Sequence, residues 1–195
     1  MQPRIHLPKR LPLTTVRIGT RWMRIHARAT NALWFGPAAG APPVHRFDDA
    51  FGRFRVCYLG TTIDVCFAET FLRNPPVRIL GIDDLAARSI AAIEVRRKLR
   101  LVPLHGPGLA RLGATAEVAS GSHYARSQAW SHALWEHTDV PDGLIYRSRH
   151  DDSASYIAVY DRARESLAVV GDYSLADDSK LLARLVERYD LGLTR

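Results

Sequence analysis

R-V-C-Y-L-G-T-T-I-D-V-C-F-A-E-T-F-L, residues Arg55 to Leu72, is the stretch on which the reading of this chain turns. Arg55 to Gly60 predicts a short buried strand with Tyr58 towards its end. A tight turn follows, with Thr61 or Thr62 placed to cap the next helix. Asp64 falls in the first turn of that helix, where the helix dipole favours an acid. The helix is expected to run to about Arg73, because Asn74-Pro75-Pro76 stops it. Glu69 breaks the pattern, being a lone carboxylate in an otherwise apolar run. Either it pairs with Arg73 one turn on, a contact worth about 0.3–0.5 kcal/mol, or it faces a site.

Outward from this unit the chain reads as one domain. Met1 to Thr20 is expected to be an extended basic arm, since Pro3, Pro8 and Pro12 block a helix. Residues 21–195 are expected to form the domain itself. Arg21 to His26 alternates as a strand and carries Arg24. Gly36 to Pro43 is a long Gly/Pro/Ala loop, leading to His45-Arg46-Phe47. Ser89–Val95 and Leu99–Leu104 read as strands, and Gly106–Gly113 as a short helix or turn. Tyr124–His137 predicts an amphipathic helix with Ala125, Ala129, Ala133 and His137 on one stripe, beside Trp130 and Leu134. Leu144–Arg147 and Tyr156–Tyr160 read as strands flanking the polar loop S-R-H-D-D-S-A-S. Leu167–Gly171 predicts another strand. Asp177–Tyr189 predicts a closing helix with Leu181, Leu182, Leu185 and Val186 on its apolar face. Strands and helices mix without strict βαβ alternation, which argues for an α+β fold.

Charge is unevenly placed. The net charge of +7 arises in the first 47 residues, which hold eight Lys or Arg and no acid before Asp48. Such a segment suits a nucleic acid or acidic partner, a transit peptide, or arginines that grip a small anion. The prolines and the absence of serine before residue 13 speak against a transit peptide. Trp22, Trp34 and Phe35 interleave with the basic residues, as stacking on nucleic acid would require. A non-enzymatic nucleic-acid-binding protein is therefore the alternative reading.

Several chemistries lack their motifs. There is no G-x-G-x-x-G, no G-x-x-x-x-G-K-[ST], no H-E-x-x-H and no G-x-S-x-G. His132 and His137 are five residues apart and turn away from one another on a helix, so no shared metal is expected. Cys57 and Cys66 show neither a disulfide framework nor zinc spacing, so a reducing, cytoplasmic location is the default. No apolar run approaches the roughly 18 residues of a membrane span.

What remains is a constellation: Arg24 in an early strand, Arg46-Phe47 after a loop, Tyr58 in a strand, Ala68-Glu69 on the next helix, and G-L-I-Y-R-S-R from Gly143 to Arg149. This order resembles the RES domain family, named for its Arg, Glu and Ser residues, over roughly Arg21 to Tyr160. The resemblance implies a fold like that of ADP-ribosyltransferases, with twisted mixed β-sheets and flanking helices. It implies an NAD-consuming enzyme that serves as the toxin of a toxin–antitoxin pair, with an Xre-type helix-turn-helix antitoxin. Such enzymes break the nicotinamide–ribose bond or transfer ADP-ribose to a protein target. Carried over position by position, the resemblance assigns Glu69 and Arg46 to catalysis and Arg24, Tyr58 and Ser148 to binding NAD. Many members have Gly-Arg-Trp at the second arginine; here the text is V-H-R-F-D-D-A-F-G-R-F, which leaves Arg53 as a competitor to Arg46.

The residue types suit that chemistry. Arginine forks match a pyrophosphate. Cleavage of the N-glycosidic bond builds oxocarbenium character at the ribose, which a carboxylate stabilises. A tyrosine ring stacks on nicotinamide or bonds the ribose, and a serine hydroxyl holds a ribose or amide group. Nicotinamide leaves as a neutral base, so no strong general acid is needed.

Overall fold

The computed structural model describes residues 5–38, 40–74 and 76–195. Met1–Arg4 of the expected arm, Ala39 of the Gly36–Pro43 loop and Pro75 of the helix stop lie outside the described residues. The chain forms ten strands and six α-helices among the described residues: β1 (Thr14–Val16), β2 (Arg21–Ala27), β3 (Val56–Gly60), α1 (Ile63–Phe71), β4 (Ile79–Gly81), α2 (Ile82–Ala86), β5 (Arg88–Val95), β6 (Leu99–Pro103), α3 (Pro107–Leu112), α4 (Glu117–Ser120), α5 (Tyr124–Trp135), β7 (Gly143–Arg147), β8 (Ser155–Tyr160), β9 (Leu167–Ser174), α6 (Ser179–Arg188) and β10 (Gly192–Thr194). The main sheet has the order β1-β6-β7-β8-β3-β2-β5-β9, and β10 pairs with β4 in a small second sheet. Within the main sheet β6–β7 is parallel, and the other pairings among the described residues are antiparallel. The fold is the mixed α+β arrangement that the sequence predicts.

The eight strands behave as two half-sheets. β2 pairs with β5 over seven residues and β3 with β8 over five. Between β2 and β3 a single registered pair remains, Met23 with Gly60. Beyond that pair the strands splay, and the halves pack face to face. Trp22, Ala91 and Ile93 of one half bury against Cys57, Leu59, Leu101, Ile157 and Val159 of the other. The opposite face is covered by helices: Val65, Cys66 and Phe67 of α1, Trp130 and Leu134 of α5 and Leu185 of α6 share a second core with Val56, Ile90, Val102 and Leu144. Each large side chain buried there contributes about 1.5–3 kcal/mol.

The Arg55–Leu72 unit forms much as its residues dictate. The side chain of Thr62 accepts the Val65 amide and caps α1. The helix folds directly back on the strand because Gly60 has no side chain. A Cβ there would lie 2.7 Å from both Cys66 Sγ and Val65 Cγ1, and 2.9 Å from the Tyr156 ring. Gly60→Ala is therefore expected to overpack the joint and cost about 1–3 kcal/mol, read as a lower urea midpoint with an unchanged slope.

α5 corrects one expectation. The helix ends at Trp135, and its buried face holds the expected Trp130 and Leu134 together with Ser127 and Ser131, while Ala125 is exposed and Ala129 and Ala133 are half-buried. The serines are buried because they are hydrogen-bonded, Ser127 Oγ to the Val118 carbonyl and Ser131 Oγ to the Phe47 carbonyl. The described part of the segment before Arg21 is tied to the domain through Leu11 and Thr14–Val16. β1 pairs with β6, Leu11 and Val16 are buried, and the Leu11 amide donates to Asp139.

Candidate active site

The splay between β2 and β3 opens a cleft of about 400 Å³. Arg24 to Ala27 of β2 line one side and Tyr58 of β3 the other. The loop between these strands supplies Trp34, His45 and Arg46, α1 supplies Glu69, and Arg73 follows just past the end of that helix. Among the described residues, five arginines, Arg24, Arg46, Arg73, Arg88 and Arg149, line the cleft with one carboxylate, Glu69. The interior is thus strongly electropositive around a single acid.

Glu69 is half-buried, on the last turns of α1. Its Oε1 accepts the Ser148 hydroxyl at 2.7 Å and the Arg149 amide at 3.3 Å. The surface pair with Arg73 does not form. Arg73 Nε donates instead to the backbone carbonyl of Glu69, at 2.9 Å. Among the described residues no cation bridges the carboxylate. The charge of Glu69 nevertheless reaches its neighbours, adding to burial in raising the Tyr146 and Tyr156 hydroxyls well above the usual phenol range.

Arg46 lies opposite on the loop. It is 7% exposed, and its guanidinium stands over the Tyr124 ring at 4.9 Å. Nη1 donates to the Gly121 carbonyl at 2.6 Å, while Nη2 is buried without a partner among the described residues. Burial lowers its pKa below the ordinary guanidinium value, yet an arginine remains charged at neutral pH. A buried cation with an unmatched N–H is a poor structural element unless an anion completes it.

Two buried acids that the sequence reading passes over hold this loop in place. Asp48 accepts the amides of Val44 and His45 and the Tyr58 hydroxyl. Asp49 accepts the Arg53 amide and faces His132 Nδ1 at 2.8 Å. They are the first acids of the chain, directly after Arg46-Phe47, and that adjacency was the available signal.

The other predicted residues take different places. Arg24 is 8% exposed, lines the cleft, and donates from Nη1 to the Trp34 carbonyl and to Cys57 Sγ across the splay. Tyr58 presents its ring to the cleft. Its hydroxyl is spent inside, donating to Asp48 and accepting the Phe47 amide. Ser148 stands behind Glu69 and is 2% exposed. Its hydroxyl donates to Glu69 and accepts the amides of His150 and Asp151, so no capacity remains for a ligand. Arg53 points to the surface and pairs with Glu136, away from the cleft. Of the two competing arginines, Arg46 is the one in the cleft.

His45 and His150 also line the cleft. Burial, with nearby arginines, lowers both below the usual imidazole value, so both are neutral at pH 7. Cys57 and Cys66 are buried free thiols. Burial pushes Cys66 up to about 12 and raises Cys57 despite Arg24 beside it, so neither is a thiolate nucleophile.

The family follows from sequence comparison. The chain matches the RES domain over residues 21–178 and belongs to that family. A protein of Sinorhizobium fredii (strain NBRC 101917 / NGR234) described as probable toxin y4kH is 32% identical over 114 residues, spanning 58% of this chain and 89% of that one. A chain in the crystal structure of the M. tuberculosis MbcT–MbcA toxin–antitoxin complex superposes with a TM-score of 0.65 at 19% identity, covering 87% of this chain and 92% of that chain. At that identity the likeness is one of fold.

Proposed function

We propose that this protein consumes NAD by breaking its nicotinamide–ribose bond and acts as the toxin of a toxin–antitoxin pair. The observation that carries the chemistry is Glu69: a carboxylate with no cationic partner among the described residues, oriented by Ser148, in a cleft lined by five arginines. In a purely structural role it would be neutralised by one of them. Arg46, with Nη2 unmatched, would take a phosphate oxygen of the pyrophosphate, and Arg24 would add charge from the strand side. The aromatic faces of Tyr58 and Tyr124 border the same space and suit a flat nicotinamide.

In this reading the glycosidic C–N bond breaks and its electron pair leaves with nicotinamide, which departs neutral. Positive charge grows on the ribose, and Glu69 stabilises it. The acceptor attacks the same carbon and gives up its proton. Water would yield ADP-ribose, phosphate would yield ADP-ribose phosphate, and a side chain would yield a modified protein target. NAD is thus a substrate, and the roles given to these residues require no metal. The toxin assignment draws on the Sinorhizobium relative and on the complex that holds the structural neighbour, and it implies an antitoxin, expected to be of Xre type. A cytoplasmic location is part of the same proposal, supported by the substrate and by the two buried free thiols.

The nucleic-acid reading fares less well. Trp22 and Phe35 are 3% exposed inside the sheet-on-sheet core, and Arg24 and Arg46 are buried in the cleft. Stacking bases would not reach them. The deciding experiment follows NAD with purified protein and separates nicotinamide, ADP-ribose and phosphorylated products, with and without phosphate. Loss of NAD with release of nicotinamide is expected, and the second product names the acceptor. No NAD loss, together with salt-dependent binding to nucleic acid, would reverse the assignment.

A further inference from the structure

The hydroxyl that bears on Glu69 is itself held by contacts that lead to the C-terminal helix. Ser148 Oγ accepts the amides of His150 and Asp151, both at 3.1 Å, so the turn must keep its shape for the hydroxyl to reach Glu69. No strand ladder supports residues 149–153, and on one side they border an open hollow of about 1090 Å³. Asp151 fastens this turn. Its Oδ1 accepts the amide and hydroxyl of Ser153, and its Oδ2 accepts the Tyr189 hydroxyl at 2.7 Å, with Arg188 Nη2 at 3.7 Å. Burial alone would raise the Asp151 pKa. The bonds from Ser153 and Tyr189 outweigh it and hold the carboxyl below its usual range.

Tyr189 follows α6 directly, and its ring stacks almost parallel on Phe67 of α1, at 5.9 Å between centroids. Its hydroxyl also lies 3.0 Å from the Asp64 carbonyl. A phenol has one proton; the shorter distance and the negative charge assign it to Asp151. Arg184 forks onto the Asp64 carboxylate at 2.6 and 3.1 Å, and Arg188 reaches the same group at 3.3 Å. The end of the chain is therefore fastened to α1, which carries Glu69, and to the turn that orients it. Arg184, Arg188 and Tyr189 lie beyond residue 178, outside the RES match.

We propose that Tyr189 is a positioning residue, which through Asp151 fixes the Ser148 turn and so the direction of the Glu69 carboxylate. The inference rests on the reading of Glu69 as the carboxylate that acts on NAD, but the latch is measurable without turnover. Tyr189→Phe keeps the ring on Phe67 and removes only the hydroxyl, so the fold survives the test. Hydrogen exchange at the His150 and Asp151 amides is expected to quicken about fivefold. In turnover, kcat falls about fivefold while KM for NAD stays within about twofold, because carboxylate direction matters most when charge develops. Asp151→Asn, which removes the charge that the hydroxyl meets, shifts both readouts the same way. On a Ser148→Ala background the Tyr189 change costs nothing further, since the relay is already cut.

Unchanged exchange in Tyr189→Phe overturns the latch. Faster exchange with unaltered kcat, or a kcat loss that adds in full to that of Ser148→Ala, overturns the positioning role. Wild-type protein that consumes no NAD defeats the proposed function instead, and the exchange measurement still decides the latch.

Discussion

Glu69→Gln is expected to lower kcat for NAD cleavage by about 10²–10⁴-fold and to leave the melting temperature close to wild type. The amide matches the carboxylate in size, and its oxygen still accepts the Ser148 hydroxyl and the Arg149 amide. What disappears is the negative charge facing the developing oxocarbenium. Stability changes little because no salt bridge is broken: Arg73 holds the Glu69 carbonyl, not its carboxylate. Removing one negative charge from an arginine-lined cleft also strengthens its pull on the pyrophosphate, so KM falls or stays level. This split separates catalysis from binding. Near-wild-type turnover by folded Glu69→Gln would sink the mechanism and return Glu69 to the status of a structural residue.

The sequence made the framework legible where local physics fixes it. β3 and α1 follow from an apolar run, a threonine cap and a double-proline stop, all within one contiguous stretch. β2, β5, β6, β7 and β8 follow from β-rich runs of five to eight residues. β4 and β10, three residues each, carry no period in the sequence and exist only by pairing across more than a hundred positions. Trp130 and Leu134 mark the buried face of α5 in the sequence, but Ser127 and Ser131 beside them do not, because hydroxyls occupy core positions only when distant carbonyls meet them, here those of Val118 and Phe47. The site divides in the same way. The family pattern pointed to Arg24, Arg46, Tyr58, Glu69 and Ser148, and the structure gathers four of them around one cleft with Ser148 directly behind. No local rule could spend the Ser148 and Tyr58 hydroxyls inward, or bring Arg149 and His150 to the rim, because those outcomes depend on partners 10 to 80 residues away.

The choice between Arg46 and Arg53 is undecidable in the sequence, where each is an arginine beside a phenylalanine, and the structure makes it sharply testable. Arg46→Ala is expected to raise KM for NAD by about 30-fold to 1,000-fold, the loss of a buried charge-assisted contact to phosphate. The effect should sit in KM more than in kcat, because the pyrophosphate is gripped equally before and during bond cleavage. Arg46→Lys should fall between, about tenfold, since an ammonium keeps the charge but loses the planar fork and its seat over Tyr124. Arg53→Ala is the control. Its partner Glu136 is a surface carboxylate, the pair contributes at most about 1 kcal/mol to stability, and KM should not move. Isothermal titration of each variant with NAD, made on a Glu69→Gln background so that the substrate survives, reads the affinity directly. Unchanged affinity in Arg46→Ala would transfer the phosphate grip to Arg24 or Arg149. A loss in Arg53→Ala would mean that the loop held by Asp48 and Asp49 rearranges when NAD binds, since only such a movement could carry a surface arginine into the cleft.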